Sequence, residues 1–504
     1  MLQNKASKMI LVIIIALATY VGAWAALTIH NNYLTRFFDM VTMHQPTYNT
    51  FMAFKEGDFS RILEMTDPHE HRGQISRLNY HFDIILIPIS LLYFIHEGPE
   101  TLLVFQSFML ALAMLPLYLL VVKIFDSDKY KYTYAILIDL IYMLYLPVHN
   151  TNMDTFHPVA LAPLFILFMI YFAISKKYFA SIIFFLLSLT LKESVALATA
   201  AYGLVLILHG LLKKNIQKKD FLLGLFMIIF STVWFLLVMY VFIPHFRNGS
   251  SYYIYLYASL GSTPMEIITG ILLRPAFLIE KLTGNESLSY ITLLMGPLAY
   301  FPLFGFLFLI PALPEFFINQ LSIAPYMSNA LGHYTATSVP FIFVALIYSL
   351  AQLKKIFYKF KVEKWFITVF AILILFTLLT SYAFSFIFRI NDIIQENSPY
   401  RRISNEYFTD VKEWVNKLGD KNLKISATTN IAPHLGSRRY IYLASMDYKD
   451  ADYVLVHTYD LTNVFISEEM EKENLSNILK DENYATIYHK DLFWVLKKVN
   501  YEQN

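Results

Sequence analysis

Two aspartates lie in polar segments that border long apolar runs. Asp39 follows the first run, and Asp154 lies between two later runs, three positions before His157. A carboxylate can take the proton of an attacking hydroxyl, and carboxylates with imidazoles can bind a divalent metal ion. We predict Asp39 and Asp154 as catalytic residues, and Asp39, Asp154 and His157 as candidate ligands of a divalent metal ion. The alternatives are a solvated Asp39 paired with Arg36, and an Asp154 that caps a helix.

A second set of candidates is basic, acidic or aromatic and lies in the polar connections. Guanidinium groups match phosphate oxygens, and charges beside apolar segments are usually paired or functional. Contact with lipid headgroups is the alternative for the basic residues, and an interfacial anchor is the alternative for the His-Tyr pair. The predicted substrate- and phosphate-binding residues are Arg36, Arg72, Arg77, His81, His157, Lys192, Glu193, His333 and Tyr334.

The elements that position these residues are membrane helices. The 504-residue chain is 57% hydrophobic and 15% charged, where soluble domains carry about 25% charged residues. Runs of this length and apolarity predict spans near 9–29, 100–122, 133–148, 158–175, 178–191, 195–212, 220–243, 338–353 and 365–388.

Two more crossings are needed between residues 244 and 337 to keep the lysine clusters on one side. One arrangement uses 289–310 and 311–331, with Pro311 and Pro314 at the turn. The other uses 265–281 and 290–310, and it places three charged residues in or near lipid at a high cost. We favour the first arrangement, and either gives about 11 helices.

Lysines fill alternate short connections, which is the positive-inside pattern of a multi-pass protein. It predicts a protein of the plasma membrane with a cytoplasmic N-terminus and a large first outer loop at about 30–99. The apolar stretch 83–96 is too short for a span. The lysines are sorted by membrane side, so no nucleic-acid partner is expected. The absence of cysteine excludes thiolate metal sites and a catalytic cysteine.

The last part of the chain has a different composition. Residues 390–504 are polar and mixed in charge, and they predict a small extracytoplasmic α/β domain beside a transmembrane domain at 1–389. We predict helices at 404–418 and 467–481 and strands at 424–429, 440–444, 451–457, 484–489 and 492–498.

Several short blocks together resemble a prokaryotic family of predicted membrane proteins of unknown function. The resemblance covers nearly the whole chain and is specific as a set. The blocks are Arg36-Phe37-Phe38-Asp39, Asn79-Tyr80-His81-Phe82-Asp83, Thr101-Leu102-Leu103-Val104-Phe105-Gln106, Leu115-Pro116-Leu117-Tyr118, Asp154-Thr155-Phe156-His157-Pro158, Leu191-Lys192-Glu193, His333-Tyr334, Pro340-Phe341 and Pro433-His434-Leu435 with Arg438.

That family is similar to the GT-C superfamily of membrane glycosyltransferases. The similarity implies a multi-helix fold and inverting transfer of a sugar from a polyprenyl-phosphate-linked donor to an acceptor on the outer face. It also implies Asp39 as the catalytic acid position and Asp154 as the second outer-loop acid. GT-C members often carry paired acids in the first loop, whereas Met40 follows Asp39 here, so the use of a metal stays open.

Two other functions fit parts of the sequence. A transporter or flippase would use ionisable residues inside the membrane, and Asp139 lies in the middle of an apolar run. A hydrogen bond between helices is the structural alternative for Asp139. A noncatalytic surface scaffold would display the C-terminal domain and would not require acids at both Asp39 and Asp154.

Overall fold

The computed structural model describes residues 2–70, 72–214, 217–249, 251–330, 332–385, 387–391, 405–458 and 468–499. It divides into two compact units. The helical unit comprises residues 1–23, 78–85 and 105–388, and the loop–tail unit comprises 24–77, 86–104 and 389–504.

Seven helices in the described residues are long and apolar enough to cross a membrane. Side chains of mainly aliphatic and aromatic type cover these helices, as expected where lipid replaces water around the helix. The seven are Asn4–Asn31, Pro99–Ile124, Val195–Leu212, Lys218–Arg247, Phe301–Leu321, Gly332–Lys359 and Glu363–Phe384. Together with the small C-terminal sheet, they confirm the predicted class of a helical multi-pass membrane protein.

Three predicted spans take a modified form. The run at 133–148 becomes helices Lys131–Met143 and Leu146–Met153, which meet at an angle of 47°. Pro147 stands in the first turn of the second helix, where a proline is tolerated, and the N-cap residue Tyr145 is extended. The apolar helices Pro158–Ile174 and Tyr178–Leu189 follow, and both are shorter than 18 residues.

Both predicted arrangements for residues 265–331 are wrong. The candidate span is Phe301–Leu321, so Pro311 lies inside a helical segment rather than at a turn. The chain turns earlier, where Ala299 and Tyr300 adopt left-handed conformations with φ of 47° and 59°. The stretch 265–281 is interrupted at Arg274, because Pro275 starts a new helix.

The α-helices of the helical unit also include several short ones. Leu2–Asn31 and Pro99–Leu112 each continue from one unit into the other. The remainder are Met114–Ile124, Lys131–Met143, Leu146–Met153, Ala162–Ile174, Tyr178–Leu189, Val195–Leu212, Lys218–Leu237, Ile243–Arg247, Pro264–Leu273, Pro275–Thr283, Asn285–Met295, Leu313–Leu321, Pro325–Ser328, Val339–Lys359 and Phe366–Phe384.

The loop–tail unit contains two sheets. Strands β1 (Glu64–Thr66) and β2 (Gln74–Ser76) form an antiparallel hairpin. The strands of the larger sheet are β3 Ile425–Ala427, β4 Ile441–Leu443, β5 Tyr453–His457, β6 Tyr484–Lys490 and β7 Phe493–Lys498. They have the order β4-β3-β5-β7-β6, in which β3 runs parallel to β4 and β5, and β7 runs antiparallel to β5 and β6.

The loop–tail unit also contains α-helices, and those whose bounds lie in the described residues are Thr42–Glu56, Leu86–Ile89, Asn405–Lys417 and Glu468–Lys480. All seven tail elements lie within a few residues of their predicted positions. The short stretch predicted at 83–96 forms only Leu86–Ile89 and a 3-10 turn at Ser90–Phe94, neither long enough to span a membrane.

The first loop and the tail share one hydrophobic core. Tyr33, Phe37 and Val41 of the loop are buried with apolar residues of the tail, among them Val411 and Ile425. The division of the chain at 389–390 stays a prediction. Residues 24–77 and 86–104, which hold most of the first loop, belong to the unit of the tail, whereas residues 78–85 belong to the helical unit.

Ion pairs reinforce this association within the loop–tail unit. The guanidinium of Arg439 donates to both carboxylate oxygens of Glu64 at 2.8 and 2.9 Å. The carboxylate of Glu97 accepts hydrogen bonds from Lys55 at 3.1 Å and from Lys421 at 2.5 Å. A bidentate pair and a shared carboxylate both hold two chain segments in one register.

Candidate active site

Asp154 is placed by the end of a helix rather than by the start of one. It follows helix Leu146–Met153 directly, and its carboxylate is 30% exposed. Its Oδ2 accepts hydrogen bonds from the backbone N–H of His333 at 2.8 Å and from His333 Nδ1 at 2.7 Å. The carboxylate is therefore oriented by a residue 179 positions away.

Gly332 makes this approach sterically possible. Its φ is +75°, a backbone conformation that disfavours side chains, and a Cβ at this position would overlap Oδ2 of Asp154. The carbonyl oxygen of Gly332 accepts a hydrogen bond from Thr151 Oγ1 at 3.4 Å. The glycine thus lets the 332–335 turn close onto the end of helix Leu146–Met153.

His157 joins the same cluster through its ring. The imidazoles of His157 and His333 stack with their centroids 3.6 Å apart and their planes at 17°. Both histidines are buried. The ring of Tyr334 lies 4.1 Å from that of His333, and its backbone carbonyl accepts a hydrogen bond from Asn319 Nδ2.

Gln106 fixes the loop that carries Asp154 and His157, a role that was not predicted from the sequence. Its Oε1 accepts from the backbone N–H of His157 at 2.8 Å, while its Nε2 donates to the carbonyl oxygens of Thr151 and Thr155. A buried amide inside an apolar helix needs partners of this kind. Because Gln106 lies in the apolar run 100–122, the sequence already indicated that its side chain needs hydrogen-bond partners within the protein.

The donor atoms of the cluster are close enough to consider a metal ion. One oxygen of Asp154 and one nitrogen each of His157 and His333 lie within 4.8 Å of one another. Asp39, the third predicted metal ligand, belongs to the loop–tail unit. The donor set in the helical unit is therefore one carboxylate and two imidazoles.

His81, Lys192 and Glu193 form a second polar cluster in the helical unit. His81 Nδ1 lies 2.8 Å from Glu193 Oε1, and the backbone N–H of Phe82 donates to Oε2. The ring of His81 stacks on Tyr253 at 4.7 Å. The carboxylate of Glu193 therefore holds His81 and the backbone of its neighbour in place.

The ionisation of Glu193 follows from these contacts. Burial by itself raises the pKa of a carboxyl group, but the charge and hydrogen bond of His81, with a smaller contribution from Lys192, outweigh it. They lower the pKa of Glu193 to about 2. Glu193 is thus anionic at neutral pH and acts as a fixed partner for His81.

The remaining predicted residues lie in the loop–tail unit. Asp39 is half-buried in a π-helical turn at Phe37–Val41, and Arg36 is exposed just before it. Arg72 donates to Asp67 Oδ2 at 2.8 Å and lies 3.0 Å from Glu70 Oε2, so two carboxylates already balance its charge. Arg77 is buried, and its backbone N–H donates to Leu63.

Three comparisons with known proteins bear on this chain. A family model described as "Predicted membrane protein (DUF2079)" matches residues 48–492. Among solved structures, the chain is similar to the crystal structure of ArnT from Cupriavidus metallidurans bound to undecaprenyl phosphate. The sequence identity is 9%, the match covers 97% of this chain and 98% of that chain, and the TM-score is 0.46. No curated protein matches.

Proposed function

The chain belongs to the DUF2079 family of predicted membrane proteins, and we propose that it transfers a sugar from a polyprenyl-phosphate-linked donor to an acceptor on the extracytoplasmic face. This membership confirms the resemblance seen in the sequence. The observation that carries the proposal is the oriented carboxylate of Asp154, which follows helix Leu146–Met153 and lies beside two histidines. A lipid-borne donor and a water-soluble acceptor can both reach such a position.

The reaction requires a base and a stabilised leaving group. The acceptor hydroxyl loses its proton to a carboxylate while its oxygen forms a bond to the anomeric carbon of the sugar. The bond from that carbon to the phosphate oxygen breaks, and the polyprenyl phosphate departs with the electron pair. Cationic or hydrogen-bonding groups stabilise the departing phosphate.

Two carboxylates are candidates for the base. Asp154 is partly exposed, and its Oδ2 is oriented by His333. Asp39 is half-buried in the loop–tail unit. Lys192 and the exposed Arg36 are the candidates for phosphate, in preference to Arg72, whose charge is already balanced.

The test is a transfer assay on purified protein in liposomes. We expect label to move from a polyprenyl-phosphate sugar to an acceptor, with no transfer from nucleotide sugars. Asp154→Asn and Asp39→Asn each keep the side-chain shape and remove the base, and the base is the residue whose variant loses turnover. Asp58→Asn, at an exposed loop carboxylate, is the matched control. Transfer from nucleotide sugars alone, or from no sugar in a full panel, refutes the proposal.

One observation favours a transporter as a second candidate. Within the described residues, both carboxyl oxygens of Asp139 are buried without a hydrogen-bond partner in the middle of helix Lys131–Met143. An ionisable group at such a position often marks a proton or ion pathway. Asp139→Asn separates the two functions, because glycosyl transfer should survive this change and proton-coupled transport should not.

A further inference from the structure

We propose that Asp154, His157 and His333 form a binding site for a first-row transition metal ion of the Zn²⁺ type. The metal ion would be a cofactor at the candidate active site. Only its role in turnover rests on the proposed function; its binding does not. Its three donor atoms come from two regions of the chain that the fold brings within 4.8 Å of one another.

The types of donor select the class of metal. Imidazole nitrogens suit Zn²⁺, Fe²⁺, Ni²⁺ and Cu²⁺, whereas Mg²⁺ and Ca²⁺ prefer sites made of oxygen alone. Two of the three donors here are imidazoles, from His157 and His333. Mg²⁺ should therefore bind this site more weakly than Zn²⁺ does, unlike a site built from paired aspartates.

The spacing of the donors is close to what such an ion requires. Bonds of about 2.0–2.2 Å in a tetrahedral site place the ligand atoms about 3.4 Å apart. The present maximum of 4.8 Å must therefore shorten, and the two stacked imidazoles must turn so that their lone pairs converge. The hydrogen bond between Asp154 and His333 Nδ1 already keeps two of the groups together.

The surroundings of the three residues resemble those of a preorganised site. Gln106 fixes the backbone of His157, and the backbone N–H of His333 orients the carboxylate of Asp154. Such outer contacts set the direction of metal ligands. Both imidazoles are buried, while Asp154 is 30% exposed, so a fourth position is open to water or substrate. Three protein ligands with one open position are typical of catalytic zinc sites.

The experiment measures metal binding without any activity assay. The full-length protein, purified in detergent, is stripped with a chelator and titrated with Zn²⁺ and separately with Co²⁺, whose visible spectrum reports tetrahedral coordination. We expect about one equivalent in the wild type. Asp154→Asn, His157→Gln and His333→Gln should lose this equivalent, and Gln106→Ala should weaken binding by about 10- to 100-fold.

His209→Gln is the matched control, because His209 is also a helical-unit histidine that packs against aromatic rings, Phe308 and Tyr348. It should keep the full equivalent. Absence of binding in the wild type, retention of binding by both histidine variants, or tighter binding of Mg²⁺ than of Zn²⁺ would overturn the site. Because Asp154→Asn weakens two hydrogen bonds to a charged oxygen and can unfold the chain, His157→Gln decides in that case.

Activity and metal content can fail independently. Full transfer by metal-free protein would refute the cofactor and leave the proposed function intact. One tightly bound equivalent in a protein that transfers no sugar would refute the function and leave the metal site intact.

Discussion

Replacement of Gly332 by alanine is a quantitative test of the candidate active site. The change has two costs that the structure separates. The left-handed backbone at φ +75° costs a residue with a Cβ about 1–2 kcal/mol. The new methyl group would also displace the carboxylate of Asp154, which costs about 1.5–3 kcal/mol for a hydrogen bond to a charged group. The expected total is about 2.5–5 kcal/mol.

A matched glycine isolates the first cost. Gly57 has a φ of +77°, and a Cβ built there meets no atom within 4 Å. Gly57→Ala should therefore lower the free energy of unfolding by only the backbone cost of about 1–2 kcal/mol. The measurement is reversible unfolding in mixed micelles, followed by circular dichroism.

A double-mutant cycle isolates the second cost. In an Asp154→Ala background the atoms that the new methyl group would strike are gone, so Gly332→Ala should cost only as much as Gly57→Ala. The coupling between positions 154 and 332 should then be about 1.5–3 kcal/mol. Equal costs of Gly332→Ala in the two backgrounds would refute the reasoning.

Three further predictions concern other parts of the molecule. The pKa of Glu193 is lowered to about 2 from an ordinary 4.5. The charged carboxylate therefore stabilises the fold by about 3 kcal/mol above pH 4.5, and this stabilisation is lost as the pH falls toward 2. Glu193→Gln should flatten that part of the curve of stability against pH. In a double-mutant cycle, Glu64→Gln and Arg439→Gln should show a coupling of about 1 kcal/mol that decreases with salt. In this cysteine-free chain, Lys129→Cys should react with an impermeant thiol reagent only after cells are opened, and Asp450→Cys should react in intact cells.

Each of these predictions has a contradicting result. An unchanged acid-side slope in Glu193→Gln would mean that the ion pair with His81 adds no stability. Strictly additive effects at positions 64 and 439 would show that the bidentate pair does not couple the hairpin to the tail. Labelling of position 129 from outside intact cells would reverse the predicted orientation.

The tail and most spans could be predicted because their signals are local. Alternation of apolar and polar residues and the length of apolar runs set each element within its own segment. The turn before Phe301–Leu321 carried no such signal. Ala299 and Tyr300 adopt left-handed conformations that neither residue type favours, whereas the prolines that suggested a turn sit in the first turn of a helix or inside a helical segment.

The candidate site could be predicted only in part. Asp154 and His157 are three residues apart, so their proximity was visible in the sequence. The contact of Asp154 with His333 spans 179 positions and depends on the conformation of Gly332, which no spacing rule reveals. Likewise, the ion pair of Arg72 depends on the local turn at Asp67, which the sequence does not reveal, and the role of Arg72 in phosphate binding stays a prediction.

The shared core of the first loop and the tail has a consequence for biosynthesis. Tyr33, Phe37 and Val41 leave the ribosome early, yet the residues that bury them extend to Val495. At about 5–20 residues per second, synthesis of the intervening roughly 450 residues takes about 20 to 90 s. During that time these side chains stay without their final neighbours while the membrane helices are inserted. The loop–tail unit is thus completed last, and chaperones that protect nascent loops should act on it longer than on any helix pair.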